Sequence, residues 1–232
     1  AGLVEQLTTL GFEVKDTGDV DVPLPEECEV GDPKQKYAQD IAEVCKDLKE
    51  RTVSVLKEGY RPVILGGDHS LAMGSISGVS QFYREQEKAA GLIWFDAHAD
   101  MNTPETTPSG NIHGMPLAVC LGRGPAALVE LSGQAPIVSP ENAVLLGVRS
   151  VDAEERRLVK EIGLQVFTMR EIDMLGIHEV MKRAIEIATR GTAGFHLSFD
   201  LDGTDPSVAP GVGTPVPGGT TWRESHLVME HA

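Results

Sequence analysis

Short apolar runs rich in β-branched residues recur at Arg61 to Leu65, Gly91 to Phe95, Ala143 to Val148, Leu164 to Thr168 and Gly194 to Phe199, each bounded by glycine, proline or charge. Runs of this kind read as parallel strands buried on both faces. Between them lie stretches of helical period. The clearest, Lys34 to Lys57, places Tyr37, Ile41, Val44 and Leu48 on one face and meets a stop at Gly59. Thr221-Trp-Arg-Glu224 reads as a capping box that opens a last helix. Strand–helix alternation predicts an α/β layered fold. Two long connections interrupt it: an acidic, proline-containing loop from Val22 to Pro33 and a Gly- and Pro-rich one from Gly203 to Gly219. Loops longer than about 12 residues in a compact domain are usually functional or mobile.

With 232 residues and 41% hydrophobic content, the chain suits one globular domain, and no repeat or linker divides it. Its 35 acidic residues outnumber 20 basic ones, for a formal net charge of −15. Nucleic acid is therefore a poor partner, since a phosphate backbone would be repelled, and so is an anionic membrane surface. No apolar run approaches the roughly 18 residues of a spanning helix. Cys28, Cys45 and Cys120 form no C-x-x-C pair and are odd in number, which suggests neither a disulfide framework nor a thiolate metal site. A soluble protein in a reducing, intracellular compartment is expected. Cys120 and the seven methionines are expected to pack the core.

Three clusters carry candidate chemistry. Ile64-Leu-Gly-Gly-Asp-His-Ser70 presents His69 beyond a glycine pair, a pattern that a surface histidine after a turn would also give. In Trp94-Phe-Asp-Ala-His-Ala-Asp100, the residues Asp96, His98 and Asp100 are spaced by two directly after an apolar run. Period two puts them on one face of an extended segment, at the carboxyl end of a strand where open α/β sheets place ligands. In the third, Phe195, Leu197 and Phe199 share one face while His196, Ser198, Asp200 and Asp202 alternate onto the other. His196 lies deeper and reads as a hydrogen-bonded core histidine. Paired aspartates at a buried strand end repel and are desolvated unless a cation or proton compensates. Two histidines and four aspartates from three strand ends suffice for two cations. The nitrogen and oxygen donors favour Mn²⁺, with Zn²⁺, Co²⁺ and Fe²⁺ also compatible.

The three motifs, GGDHS, DAHADMNTPETTPSGNIHGMP and SFDLDGTDPSVAPGVGTPVPGG, occur in this order, and the chain resembles the arginase branch of the ureohydrolase family along its whole length. The resemblance implies a single arginase-type catalytic domain over residues 1–232. The implied fold is a three-layer α/β/α one with a mainly parallel sheet. It implies two Mn²⁺ per chain, one held by His69, Asp96, Asp100 and Asp200, the other by Asp96, His98, Asp200 and Asp202. Asp100 would relay a proton and His113 would shuttle one. Asn102, Ser109 and Asn111 would hold the amino-acid end of the substrate, Asp152 would face its α-ammonium, and Thr214 would lie close by. Asn102 capping a turn and His113 as an ordinary loop histidine are the alternative readings. Ser150 stands where the commonest arginase form has Asp.

The implied reaction is hydrolysis of the guanidinium of L-arginine to L-ornithine and urea by a hydroxide bridging two metal ions. Agmatine or another guanidino compound as substrate, or an inactive homologue, are the alternatives. A trimeric or hexameric homo-oligomer in the cytoplasm is implied, with the mitochondrion as alternative. The family also leads one to expect a further strand at each end, both flanking Arg61 to Leu65, and a guanidinium-reading glutamate beyond Ala232. On that expectation the chain is a segment of a longer protein, incomplete at both ends.

Overall fold

The computed structural model describes residues 2–232; Ala1, the first residue of the expected domain, lies outside the described residues. The helices are α1 (Leu3–Thr9), α2 (Ala38–Lys57), α3 (Leu71–Arg84), α4 (Pro116–Cys120), α5 (Ala126–Val129), α6 (Ala153–Ile162), α7 (Met169–Leu175), α8 (Ile177–Ala188) and α9 (Trp222–His231). The strands are β1 (Gly91–Phe95), β2 (Ala143–Val148), β3 (Gln165–Thr168) and β4 (Phe195–Phe199), all parallel in the order β3-β2-β1-β4.

The alternation of strand side chains divides the core into two layers. Leu92 and Trp94 of β1, with Ala143 and Leu145 of β2, pack on one side with Cys45 of α2, Met73 and Ile76 of α3 and Leu117 of α4. Ile93, Phe95, Val144 and Leu146 face the other way, onto Ile172 of α7, Val180, Met181 and Ala184 of α8 and Val228 of α9. Helices thus cover both faces, as parallel strands require, and the expected three-layer α/β/α arrangement is present.

Glycine sets two close approaches that fix these layers. Gly74 and Gly78, one turn apart on α3, let it lie against α2: a Cβ at either would come within 2.6 Å of Cys45 O or Thr52 Cβ. Gly91 lets the start of β1 meet the end of α8, where an added Cβ would sit 1.9 Å from the Ala188 carbonyl oxygen.

The structure corrects three expectations. Arg61 to Leu65 is not a strand but an unpaired extended segment, with Val63 67% and Leu65 77% exposed. Its composition suits a strand, but a strand exists only where another offers its backbone, and none of the described strands does. The long helix begins at Ala38 rather than Lys34, because Tyr37 adopts φ 57° and the Lys36 N–H is taken by Gly110 O at 2.9 Å. Met73, Met101, Met115, Met181 and Cys120 are buried as expected, but Met174 and Met229 are exposed. The last helix does open on the Thr221–Glu224 capping box.

Gly91→Ala is expected to destabilise the fold by about 1–3 kcal/mol, the usual cost of forcing extra volume into a packed contact. Urea denaturation checks it, as a lower midpoint at unchanged slope.

Candidate metal centre

The parallel register of β1 and β4 pairs Phe95 with Phe199, so the next residues, Asp96 and Asp200, leave the sheet side by side. The ladder continues one step, with Asp96 N–H donating to Leu146 O at 3.0 Å and Asp200 N–H to Phe95 O at 2.9 Å. Beyond this the backbone bends. His98 N–H donates to Asp96 Oδ1 at 2.7 Å, and Asp100 adopts φ 50°. Likewise Asp202 N–H donates to Asp200 Oδ1 at 2.9 Å, closing a 3-10 turn over Leu201–Gly203. The acidic side chains therefore meet through turns, where period two along an extended segment had been expected.

Of the two histidines, one comes from a further place and the other from this same bend. His69 lies just ahead of α3, and its Nδ1 is 2.9 Å from Asp96 Oδ2, 3.2 Å from Asp200 Oδ2 and 3.3 Å from Asp100 Oδ2. His98 Nδ1 is 3.1 Å from Asp202 Oδ2 and 3.4 Å from Asp96 Oδ1. Ligand atoms of His69, Asp96 and Asp200 form one group spanning less than 4.8 Å, and those of Asp96, His98 and Asp202 form a second. Asp96 belongs to both, while Asp200 falls in the first.

Charge explains why this arrangement fits cations. Burial and the neighbouring Asp96 push the Asp100 carboxyl up. Burial also opposes ionisation of Asp202, but the His98 hydrogen bond and charge hold its carboxyl down. Hydrogen bonds to Asp202 and Asp96 raise His98 to about 10 against the cost of burial. For His69, burial favours the neutral ring, yet bonds to Asp100, Asp200 and Asp96 outweigh it and raise the imidazole well above its ordinary value. Protonated imidazoles thus partly offset a surplus of carboxylate, and divalent ions would do so more fully. Oxygen and imidazole donors suit Mn²⁺, Zn²⁺, Co²⁺ and Fe²⁺ alike.

Side chains around the cluster hold it in place. Trp94 Nε1 donates to Asp96 Oδ2 at 3.0 Å while its ring stacks on His69 at 4.0 Å. Ser198 Oγ lies 2.8 Å from His69 Nε2, which turns Nδ1 towards the aspartates. Such partners orient metal-ligating histidines. Sequence reading assigned neither role, though both residues sit two positions before an aspartate on the same face. His196 takes no part: its Nε2 is 3.4 Å from Ser75 Oγ, and desolvation with nearby His69 lowers it to about 4.

The residues expected to hold substrate fall mostly into pairs. Asn102 Nδ2 donates to Asp152 Oδ2 at 3.0 Å, and its Oδ1 accepts from Thr106 Oγ1 at 2.9 Å. Asp152 also caps α6, accepting the Glu155 N–H at 2.9 Å. Buried Glu155, unmentioned by the sequence reading, ties the two segments by accepting from Met101 N–H at 3.1 Å and Asp152 N–H at 3.0 Å. A Glu three residues after a capping Asp was the available signal. Ser109 Oγ accepts from the Asn111 N–H at 3.2 Å, and Lys36 Nζ reaches Asn111 Oδ1 at 3.4 Å. Among the described residues no side-chain hydrogen bond joins the Asn102–Asp152 pair to the Ser109–Asn111 pair. His113 stands exposed on a 3-10 turn, Ile112–Gly114. Thr214 Oγ1 donates to Asp202 Oδ2 at 2.9 Å, and Ser150 bridges to His98 through the backbone.

Two outcomes are expected of metal binding. Asp96→Ala is expected to reduce occupancy at both positions and His98→Ala at one, as read by elemental analysis after dialysis against Mn²⁺. Because Asp202 and Asp96 raise His98 to about 10 in the metal-free site and so favour its imidazolium near neutrality, metal binding there is expected to displace a proton. Apparent affinity is then expected to rise with pH across neutrality, with proton release seen by calorimetry in buffers of different ionisation enthalpy.

The Arginase family model matches residues 3–232. The arginase of Bacillus caldovelox is 47% identical over 231 residues, covering 99% of this chain and 76% of that protein. The arginase of Bacillus subtilis is 47% identical over 230 residues, covering 99% and 75%. The native structure of Bacillus caldovelox arginase at pH 5.6 superposes with a TM-score of 0.92 at 46% identity, covering 99% of this chain and 76% of that one. With a cluster built from all three motifs and a family match over nearly its full length, the chain belongs to the arginase family.

Proposed function

We propose that this chain hydrolyses the guanidinium of L-arginine, giving L-ornithine and urea, at a site that holds two Mn²⁺. The observation that carries the reading is the gathering of His69, Asp96, His98, Asp100, Asp200 and Asp202 at the carboxyl ends of β1 and β4. His69, Asp96, Asp100 and Asp200 would hold one ion, and Asp96, His98, Asp200 and Asp202 the other. The bound ions would lower the pKa of a water, so that hydroxide is available near neutral pH.

The chain's own residues do the rest. A guanidinium is a poor electrophile because its charge is delocalised, so fixed geometry must supply much of the rate. Asn102 and Asp152, already joined, present a carboxylate oxygen to the substrate's α-ammonium. Ser109 and Asn111 offer neutral donors to its α-carboxylate, and Lys36 beside Asn111 adds positive charge there. Asp100 would pass a proton from the nucleophile to the departing amine. His113, at the surface, would exchange protons with solvent. Thr214 donates to Asp202 and so orients that carboxylate. These donors favour arginine over agmatine, which has no carboxylate for Ser109, Asn111 and Lys36 to bind.

We also propose a cytoplasmic homo-oligomer, a trimer or hexamer. Three free cysteines agree with a reducing compartment, and among the described residues no helix is long and apolar enough to cross a membrane.

Urea release from L-arginine with saturating Mn²⁺ tests the assignment, and kcat/KM is expected to be far higher for arginine than for agmatine. The reverse preference would transfer the chain to another guanidino substrate. His113→Ala is expected to lower kcat by roughly 10²-fold or more, as for general acid–base groups, with two Mn²⁺ per chain retained. Unchanged turnover would make His113 an ordinary loop residue.

A further inference from the structure

Beside the metal cluster, at the carboxyl ends of β2 and β3, a cavity of about 400 Å³ opens between α6 and the start of α7. That volume lies within the roughly 300–1,000 Å³ of small-molecule sites. Buried Ala99 and Leu145 form its floor, with Val148, Val159, Val166 and Met169 as apolar walls. None of the side chains assigned to metal or substrate lines it.

Two exposed arginines, Arg156 and Arg170, line the same cavity. Among the described residues neither guanidinium has a salt bridge or hydrogen bond. Four acidic side chains close to them in the chain are engaged elsewhere. Glu154 pairs with Arg157, and Glu161 with Arg157 and Arg123. Glu155 accepts two backbone N–H groups, and Glu171 is bound to Thr168. The third arginine, Arg149, is spent on carbonyls: Asp202 O at 2.7 Å, Gly203 O at 3.1 Å and Val216 O at 2.6 Å. In a chain of formal net charge −15, two cations on one apolar cavity, neither in a direct ion pair among the described residues, point to an anion supplied from outside.

We propose that this cavity is a second binding site, separate from the metal centre, for a small aliphatic carboxylate. The hydrocarbon chain would lie against Val148, Val159 and Val166, leaving water as it does so. The carboxylate would be held by Arg156 and Arg170, whose planar forks match its geometry. Because Ala99 falls between His98 and Asp100 in the chain, a molecule bound here rests on the segment that carries two metal-cluster side chains.

The test titrates the metal-loaded protein with hexanoate and, separately, with hexylammonium, which has the same tail and the opposite charge. Hexanoate is expected to give one saturable event per chain by calorimetry and a Tm that rises with its concentration. Hexylammonium is expected to give neither. Arg156→Gln combined with Arg170→Gln alters only exposed side chains, so Tm and metal content are expected to stay at wild-type values while hexanoate affinity falls at least 10-fold. Equal binding of the two probes would overturn the proposal. So would undiminished hexanoate affinity in the double variant, including the case where binding disappears on metal removal, which would put the carboxylate at the metals.

Discussion

Four carboxylates crowded at the ends of two neighbouring parallel strands impose the constraint on which the rest of this structure depends. Asp96 and Asp200 arrive together because β1 and β4 run parallel in a register that ends at Phe95 and Phe199. Asp100 and Asp202 then turn back towards them. In a setting of low dielectric, like charges at this spacing cannot all remain ionised without compensation. His69 and His98 supply part of it as imidazolium, and the donor set is one that divalent cations complete.

Holding such a cluster takes rigid neighbours, and these come from the apolar core itself. Trp94 is fully buried, yet its indole N–H reaches Asp96 and its ring lies on His69. Under the cluster Phe95 and Phe199 stack at 4.4 Å, and Gly203 gives way to Phe95, where a Cβ would come within 2.4 Å of the ring. Arg149 secures the long loop after β4 by donating to carbonyls at positions 202, 203 and 216. Asp205 assists by accepting the N–H groups of Gly218 and Gly219 at 2.8 and 3.1 Å. A loop with little regular structure is thereby held where Thr214 meets Asp202.

Much of the fold is legible in the sequence. The four paired strands coincide with apolar runs, shifted by at most one residue, because a strand buried on both faces leaves no alternative to continuous hydrophobicity. Arg61 to Leu65 was misread for the same reason: an apolar run records that a segment can be a strand, and pairing is a property of its neighbours. The start of α2 was misplaced because Lys36 bonds to Gly110, a contact 74 positions away in the chain that no local pattern contains.

At the site, the sequence by itself determined the six candidate ligands and their order, and for all but His69 their placement after strand ends, since residue type and spacing are local quantities. Tertiary structure alone decided how they meet. Turns at His98, Asp100 and Asp202 close the distances, and Ser198 and Trp94 aim His69. Glu155 couples Asp152 to the metal-bearing segment, and Lys36 joins Asn111 from another part of the chain. Each of these is a contact between residues brought together by the folding of the sheet and its helices, so its geometry exists only once the register of β1 with β4 has been set.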